Sequence, residues 1–252
     1  MASLMASYRN EWAKLIARKK YIVFIFIGMA ICLLWSGVGQ LITGFAMTQA
    51  GFNINLTPSP MVALPFFLQI LIPFLIFMGV TDLITVEGAE NNLKAMLCRP
   101  VERWKLYASK LMAVVSYAAV YLLCIFVVTV TLNRLFGKPM QGNEIAMAFF
   151  SYALTLIPLA ILSAYAALIA LLGRSGTLTM FLLLVSYLLL NALPWFFPVL
   201  SEILFTSYLR WYRLWIGALP NFGKMLHMLL IVSGYATVFF TAGSLIFDRK
   251  EY

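Results

Sequence analysis

Between Tyr21 and Thr81 the chain carries no Asp, Glu, Lys, Arg or His. A helix needs about 20 predominantly apolar residues to cross hydrocarbon, so this interval is long enough for two crossings and the turn between them. A soluble domain could not hide such a stretch, since the whole chain is 63% hydrophobic and only 11% charged. The remaining apolar runs have similar length. They predict six spanning helices, at Tyr21–Thr43, Met61–Val86, Leu106–Asn133, Ile145–Leu172, Leu178–Leu200 and Met225–Phe247. Backbone groups in lipid must be paired within their own segment, which favours helices, whereas barrel strands would be shorter and alternate in polarity. The expected fold is therefore an all-α integral membrane protein, with residues 1–252 forming one membrane domain. Pro65, Pro73 and Pro158 fall inside spans and each removes one backbone donor. Ordinary helix irregularity and a functional hinge are both open readings of these prolines.

Basic residues are retained on the cytoplasmic side, and they are unevenly placed. With the N-terminus inside, the inner segments hold Arg9, Lys14, Arg18, Lys19, Lys20, Lys94, Arg99, Arg103, Lys105, Lys110, Arg174, Arg249 and Lys250, thirteen of the eighteen Lys and Arg. The outer segments hold Arg134, Lys138, Arg210, Arg213 and Lys224. Both termini are thus expected in the cytoplasm, in a multi-pass protein of the plasma membrane. The net charge of +9 reads as a topology signal with some attraction to anionic lipid, and not as nucleic-acid binding.

The first twenty residues are too polar for a cleaved signal, and the apolar stretch that follows them is of full spanning length and lacks a small-residue cleavage site. Leu4, Tyr8, Trp12, Leu15 and Ile16 recur at steps of three and four, with Arg9, Asn10, Lys14 and Arg18 mostly opposite, so an amphipathic helix lying in the inner interface is predicted. Cys32, Cys98 and Cys124 show no paired spacing, so neither a disulfide framework nor a zinc site is indicated. His227, the lone histidine, sits near the outer end of the last span, where an interfacial ring is the simpler reading. No GxSxG, HExxH or P-loop pattern occurs, so no catalytic residue, cofactor site or metal site is expected on this chain.

Nine of the 27 charged side chains lie in "TDLITVEGAENNLKAMLCRPVERWKLYASK", Thr81 to Lys110. The stretch joins spans two and three. Val86, Ala89, Leu93, Met96 and Leu97 recur at helical spacing, which predicts a short amphipathic helix with Glu87, Glu90, Asn91 and Lys94 on its wetter face. Pro100 ends that helix, because the residue before a proline is disfavoured in the α region. Beyond it Trp104 and Tyr107 read as interfacial anchors, and Lys110 as a side chain snorkelling back to the headgroups.

An acidic residue leaving span two, then "AMLCRPVERWKLYASK", with a lysine a turn or two into a long third span, resembles the pattern of type-2 ABC exporter permeases. The stretch "GAENN" stands where many relatives carry "ERxxGT". The resemblance implies that the loop is a coupling helix meeting a separate nucleotide-binding ATPase subunit, through Glu87, Glu90, Leu93, Met96, Leu97, Arg99, Pro100 and Arg103. It also implies a smaller contact at the inner turn "LLGRSGT" through Arg174, a topology-setting arginine being the alternative reading. In this family two permease chains, identical or related, work with two ATPase subunits, which hold ATP and Mg. Short outer-leaflet helices between spans five and six belong to the same pattern. The implied function is ATP-driven export of a hydrophobic or amphipathic substrate, such as an antimicrobial peptide, drug or lipid, of the kind that underlies antibiotic resistance in bacteria. The near-absence of charge within the spans favours such cargo. A secondary transporter, a non-catalytic membrane scaffold and, more remotely, an intramembrane enzyme are the other classes the sequence leaves open.

Overall fold

The computed structural model describes residues 2–50, 59–89, 102–137, 140–215 and 222–249. Every regular element among them is helical. Six segments are long and apolar enough to cross a membrane: Lys19–Ile42, Pro60–Val86, Arg103–Phe136, Gly142–Leu172, Gly176–Phe196 and Met225–Arg249. They follow the six expected spans to within a few residues, the clearest differences being that span three begins earlier and span five ends earlier. Span three, at 34 residues, is about 50 Å long at 1.5 Å per residue and exceeds a hydrocarbon core of about 30 Å. Between spans five and six the chain forms 3-10 turns at Pro198–Glu202 and Phe205–Trp215.

Contacts between span ends establish an alternating up-and-down order. At one end, here called proximal, lie the N-terminal helix, the start of span one and the end of span two, joined by an Arg18–Asp82 ion pair. The start of span three and the end of span six meet there through Arg103 and Asp248. The end of span four joins them, since Thr85 Oγ1 donates to the carbonyl of Ala170 at 2.9 Å. That bond satisfies one of the carbonyls that a helix leaves without a partner in its last turn. At the opposite, distal end Gln40 Nε2 of span one donates to the carbonyl of Phe136 of span three.

The N-terminal helix, Ala2–Ala17, is amphipathic as expected, and its apolar side packs along span three. Leu15 is fully buried, Tyr8 and Trp12 lie against the core, and the Tyr8 hydroxyl donates to Ser116 Oγ at 3.0 Å. Ile16 is instead exposed. Span three lies at the centre of the bundle and buries a tyrosine ladder. Tyr117 donates to the carbonyl of Tyr21, while Tyr121 packs on Phe24 and Phe67. Tyr121 needs a glycine opposite, because a Cβ on Gly28 would stand 2.3 Å from its hydroxyl.

Two of the in-span prolines, Pro73 and Pro158, acquire a tertiary role. Pro73 has no N–H, so the carbonyl four residues back, at Gln69, loses its helical donor. Tyr187 of span five donates its hydroxyl to that carbonyl at 3.2 Å. Pro158 likewise deprives Leu154, and Trp211 of the 3-10 segment donates its indole N–H there at 2.8 Å. The helix is interrupted at Thr155, between Gly142–Leu154 and Leu156–Leu172. Around Pro65 and Pro73 span two widens into a π-helical turn at Phe67–Leu71, and a second π segment follows at Thr81–Val86.

Candidate functional site: a proximal ion-pair cluster

Glu87 ends the π segment Thr81–Val86, and Lys110 sits two turns into span three. The two meet at 2.6 Å, Lys110 Nζ to Glu87 Oε2. Lys110 also reaches Glu11 Oε2 at 3.0 Å, and Lys14 closes the figure from the other side, with Glu11 Oε1 at 3.0 Å and Glu87 Oε1 at 2.9 Å. Two carboxylates and two ammonium groups thus alternate in a closed ring of zero net charge. Glu11 and Lys110 are essentially inaccessible, with side-chain exposures of 0% and 1%. Taking such charges out of water costs several kcal/mol per ion, which is recovered only where the geometry is good and the groups are hydrogen-bonded; here each of the four carboxylate oxygens accepts from an ammonium group. Burial alone would raise the Glu87 carboxyl, but Lys110 and Lys14 hold it below its ordinary range. Burial alone would lower the Lys14 ammonium, and Glu87 and Glu11 hold it above.

A second cluster surrounds Asp82. Its Oδ2 accepts from the Tyr21 hydroxyl at 2.7 Å and pairs with Arg18 at 3.0 Å and Lys20 at 2.5 Å. The N-terminal helix, the bend at Arg18 and the start of span one are therefore fastened to the end of span two by charge, while span three is fastened to both.

These positions revise several expectations. Glu87 does not lie on a wet face: it is 3% exposed and turned into the ring. Lys110 does not snorkel to the headgroups: its side chain is buried, with the ammonium held by Glu87 and Glu11. Tyr107 is fully buried against Phe240 and Phe247, leaving Trp104 as the exposed aromatic at the start of span three. Arg103 meets an acid, Asp248 near the end of span six, with an N–O distance of 3.9 Å and a further bond to the Asp248 carbonyl. Arg174 is exposed in the turn between spans four and five, and that turn lies on the end of span two. A Cβ on Gly176 would press on a Val86 methyl and one on Gly173 would overlap Thr179 Oγ1, so a side chain at either position requires its neighbour to shift. Glu90, Leu93, Met96, Leu97, Arg99 and Pro100 lie outside the described residues. Sequence reasoning missed Glu11. The signal was available, since Glu11 is the only acid among the first twenty residues and Lys110 the only charge in the apolar stretch after Lys105.

Among the described residues no nucleophile and base converge at this site. The arrangement holds six membrane crossings, an amphipathic helix locked to their proximal ends, and a loop between spans two and three whose two shoulders are braced by ion pairs. That is the build of a polytopic membrane protein. Residues 8–191 match the family described as ABC-2 family transporter protein. The match covers well over half of the chain, and the protein belongs to that family. No curated protein matches the chain.

Proposed function

We propose that the protein is the permease subunit of an ATP-driven exporter whose nucleotide-binding subunit is a separate polypeptide, and that the loop between spans two and three is the coupling segment that docks on it. The observation that carries this reading is the meeting of span two's end, span three's start and the exposed Arg174 turn at the end that bears the N-terminal helix. A partner bound there contacts both the inter-span loop and Arg174. The proximal end is the cytoplasmic one in this reading, with both termini in the cytoplasm and the spans in the plasma membrane. Two permease chains and two ATPase subunits make the working unit, with ATP and Mg on the ATPase. A hydrophobic or amphipathic substrate, such as a peptide antibiotic, drug or lipid, fits the apolar spans.

Within this scheme Glu87 is a brace and not a docking contact. Closure of the ATPase pair moves the loop. The rigid Glu11–Lys14–Glu87–Lys110 ring passes that displacement to spans two and three together with the N-terminal helix. Alternating access then arises from two arrangements of the same packed elements, biased by the nucleotide state of the partner.

The test is reconstitution with the cognate ATPase, measuring substrate-stimulated ATP hydrolysis and export. Arg174→Glu reverses an exposed charge and should leave the unfolding midpoint unchanged while lowering stimulated hydrolysis severalfold. Pro100→Ala, which removes the predicted bend, should do the same. Normal stimulation and export in both variants would refute the coupling assignment, and transport by the chain without any ATPase would move it to the secondary transporters.

A further inference from the structure

At the distal end, far from the ion-pair cluster, a cavity of about 260 Å³ opens between spans two and five and the 3-10 segment. Gln69, Tyr187, Asn191, Thr206, Ser207 and Arg210 supply most of its lining. Gln69, Tyr187 and Asn191 belong to spans two and five, where a polar side chain is costly unless it faces a partner or a cavity. Gln69 is the sole Gln, Asn or charged residue of span two before Asp82, and it is exposed. The backbone is irregular on both walls: Gln69 is in a π turn, and Arg210 leaves helical geometry at φ −100°, ψ 18°. Arg210 is thereby the cationic member of the lining.

The charge of Arg210 has no counter-ion among the described residues. Glu11, Asp82, Glu87, Glu102 and Asp248 are all paired at the proximal end. Glu144 accepts the backbone N–H of Gln141 in a capping box, and Glu202 is exposed and absent from the lining. The remaining acids, Glu90 and Glu251, lie outside the described residues. A guanidinium among amide and hydroxyl groups, with no carboxylate beside it, matches the forked geometry of a carboxylate or phosphate.

We propose that this cavity binds the acidic head, carboxylate or phosphate, of an amphiphile, with Arg210 as its counter-ion and Asn191 and Gln69 as orienting partners. The volume lies below the roughly 300–1,000 Å³ of pockets that enclose a whole drug-sized ligand, so it suits a head group. An apolar path for the tail adjoins it. Asn191 shares a helical face with Leu188 and Trp195, three residues before it and four after, and these side chains are 65% and 86% exposed. One amide of Asn191 is already fixed by the Tyr187 carbonyl at 2.8 Å, which aims the rest of the group.

The experiment uses the purified chain in phosphatidylcholine nanodiscs, with a fluorescent long-chain fatty acid and its methyl ester as probes. The acid should bind at least about tenfold more tightly than the ester, the scale of one charge-assisted hydrogen bond. Arg210→Gln should abolish the preference, Arg210→Lys should keep part of it, and Arg213→Gln, at an exposed arginine three residues on, should keep all of it. Repeating the titration in phosphatidylglycerol nanodiscs distinguishes the sources of the acidic head. Displacement of the acid, with the ester unaffected, assigns the site to a lipid headgroup, and undiminished binding assigns it to a free carboxylate amphiphile. Equal binding of acid and ester, or a preference that survives Arg210→Gln, would overturn the proposal. Retained binding by the charge-preserving Arg210→Lys variant guards against misreading a folding defect. No ATPase is needed, so failure here leaves the transport reading standing, and failure of that reading leaves the binding result standing.

Discussion

Lys110→Met removes one corner of the buried ring while keeping an unbranched side chain of similar length. In the native protein Lys110 Nζ lies 2.6 Å from Glu87 and 3.0 Å from Glu11. At an effective dielectric of about 20, each contact is worth about 5 to 6 kcal/mol of Coulomb attraction before desolvation is subtracted. The subtraction is large, and the net worth of the ring against an apolar equivalent is small. Breaking it one-sidedly is different, because two buried carboxylates are then left to share Lys14, and the expected cost is about 3–5 kcal/mol. The loss should appear first where the ring does its fastening, in the docking of the N-terminal helix on span three. Amide exchange across residues 10–17 should therefore accelerate by about 10²- to 10⁴-fold, as 1.36 kcal/mol is a factor of ten. Adding Glu11→Gln restores neutrality and should recover part of the protection, a coupling of about 0.5–3 kcal/mol. Exchange within threefold of native in Lys110→Met, or a double variant no better than the single, would show that the helix is held by its apolar face alone.

The same ring gives a pH signature. The Glu87 carboxyl is held below its ordinary 4.5, so its stabilisation is complete above 4.5 and is lost as pH falls through the depressed value. The Lys14 ammonium is held above its ordinary 10.5, so its contribution is complete below 10.5 and is lost as pH rises through the elevated value. Protection of residues 10–17, corrected for intrinsic exchange, should be flat between these limits and fall outside them, and a slope near neutrality would contradict this. Trp211→Phe leaves the Leu154 carbonyl without a donor and should lower stability by about 1–3 kcal/mol; in that background Pro158→Ala restores a helical N–H and should raise the thermal unfolding midpoint, whereas no recovery would mean that the indole acts only by packing. Gly28→Ala sets a methyl against the Tyr121 hydroxyl and ring carbon Cζ and should cost about 1–3 kcal/mol; Tyr121→Phe should relieve part of it, since the ring remains, and equal midpoints for the single and double variants would place the strain elsewhere.

What could be read from the residues alone follows from solvent and periodicity. The charge-free interval from Tyr21 to Thr81 requires membrane crossings whatever the packing, because exposed backbone in lipid is too costly to tolerate. For the same reason six spans, the amphipathic first helix and the charged loop between spans two and three were all legible, each being a local pattern on one segment. The partners of charged groups were not. Lys110 looks like a snorkelling lysine and Glu87 like a wet-face acid until the fold brings Glu11 and Lys14 to them, from 99 and 73 residues away respectively. The prolines are similar: sequence shows that Gln69 and Leu154 lose their helical donors, but only the tertiary structure supplies Tyr187 and Trp211 to those carbonyls. Arg210 reads as one of five outer-side basic residues, and its place in a polar cavity depends on a π turn in span two and a break in a 3-10 segment. Hydropathy and helical period act within a segment, so the chain itself carries them. Pairing of buried charge and of freed carbonyls depends on which segments touch, and that is settled by packing.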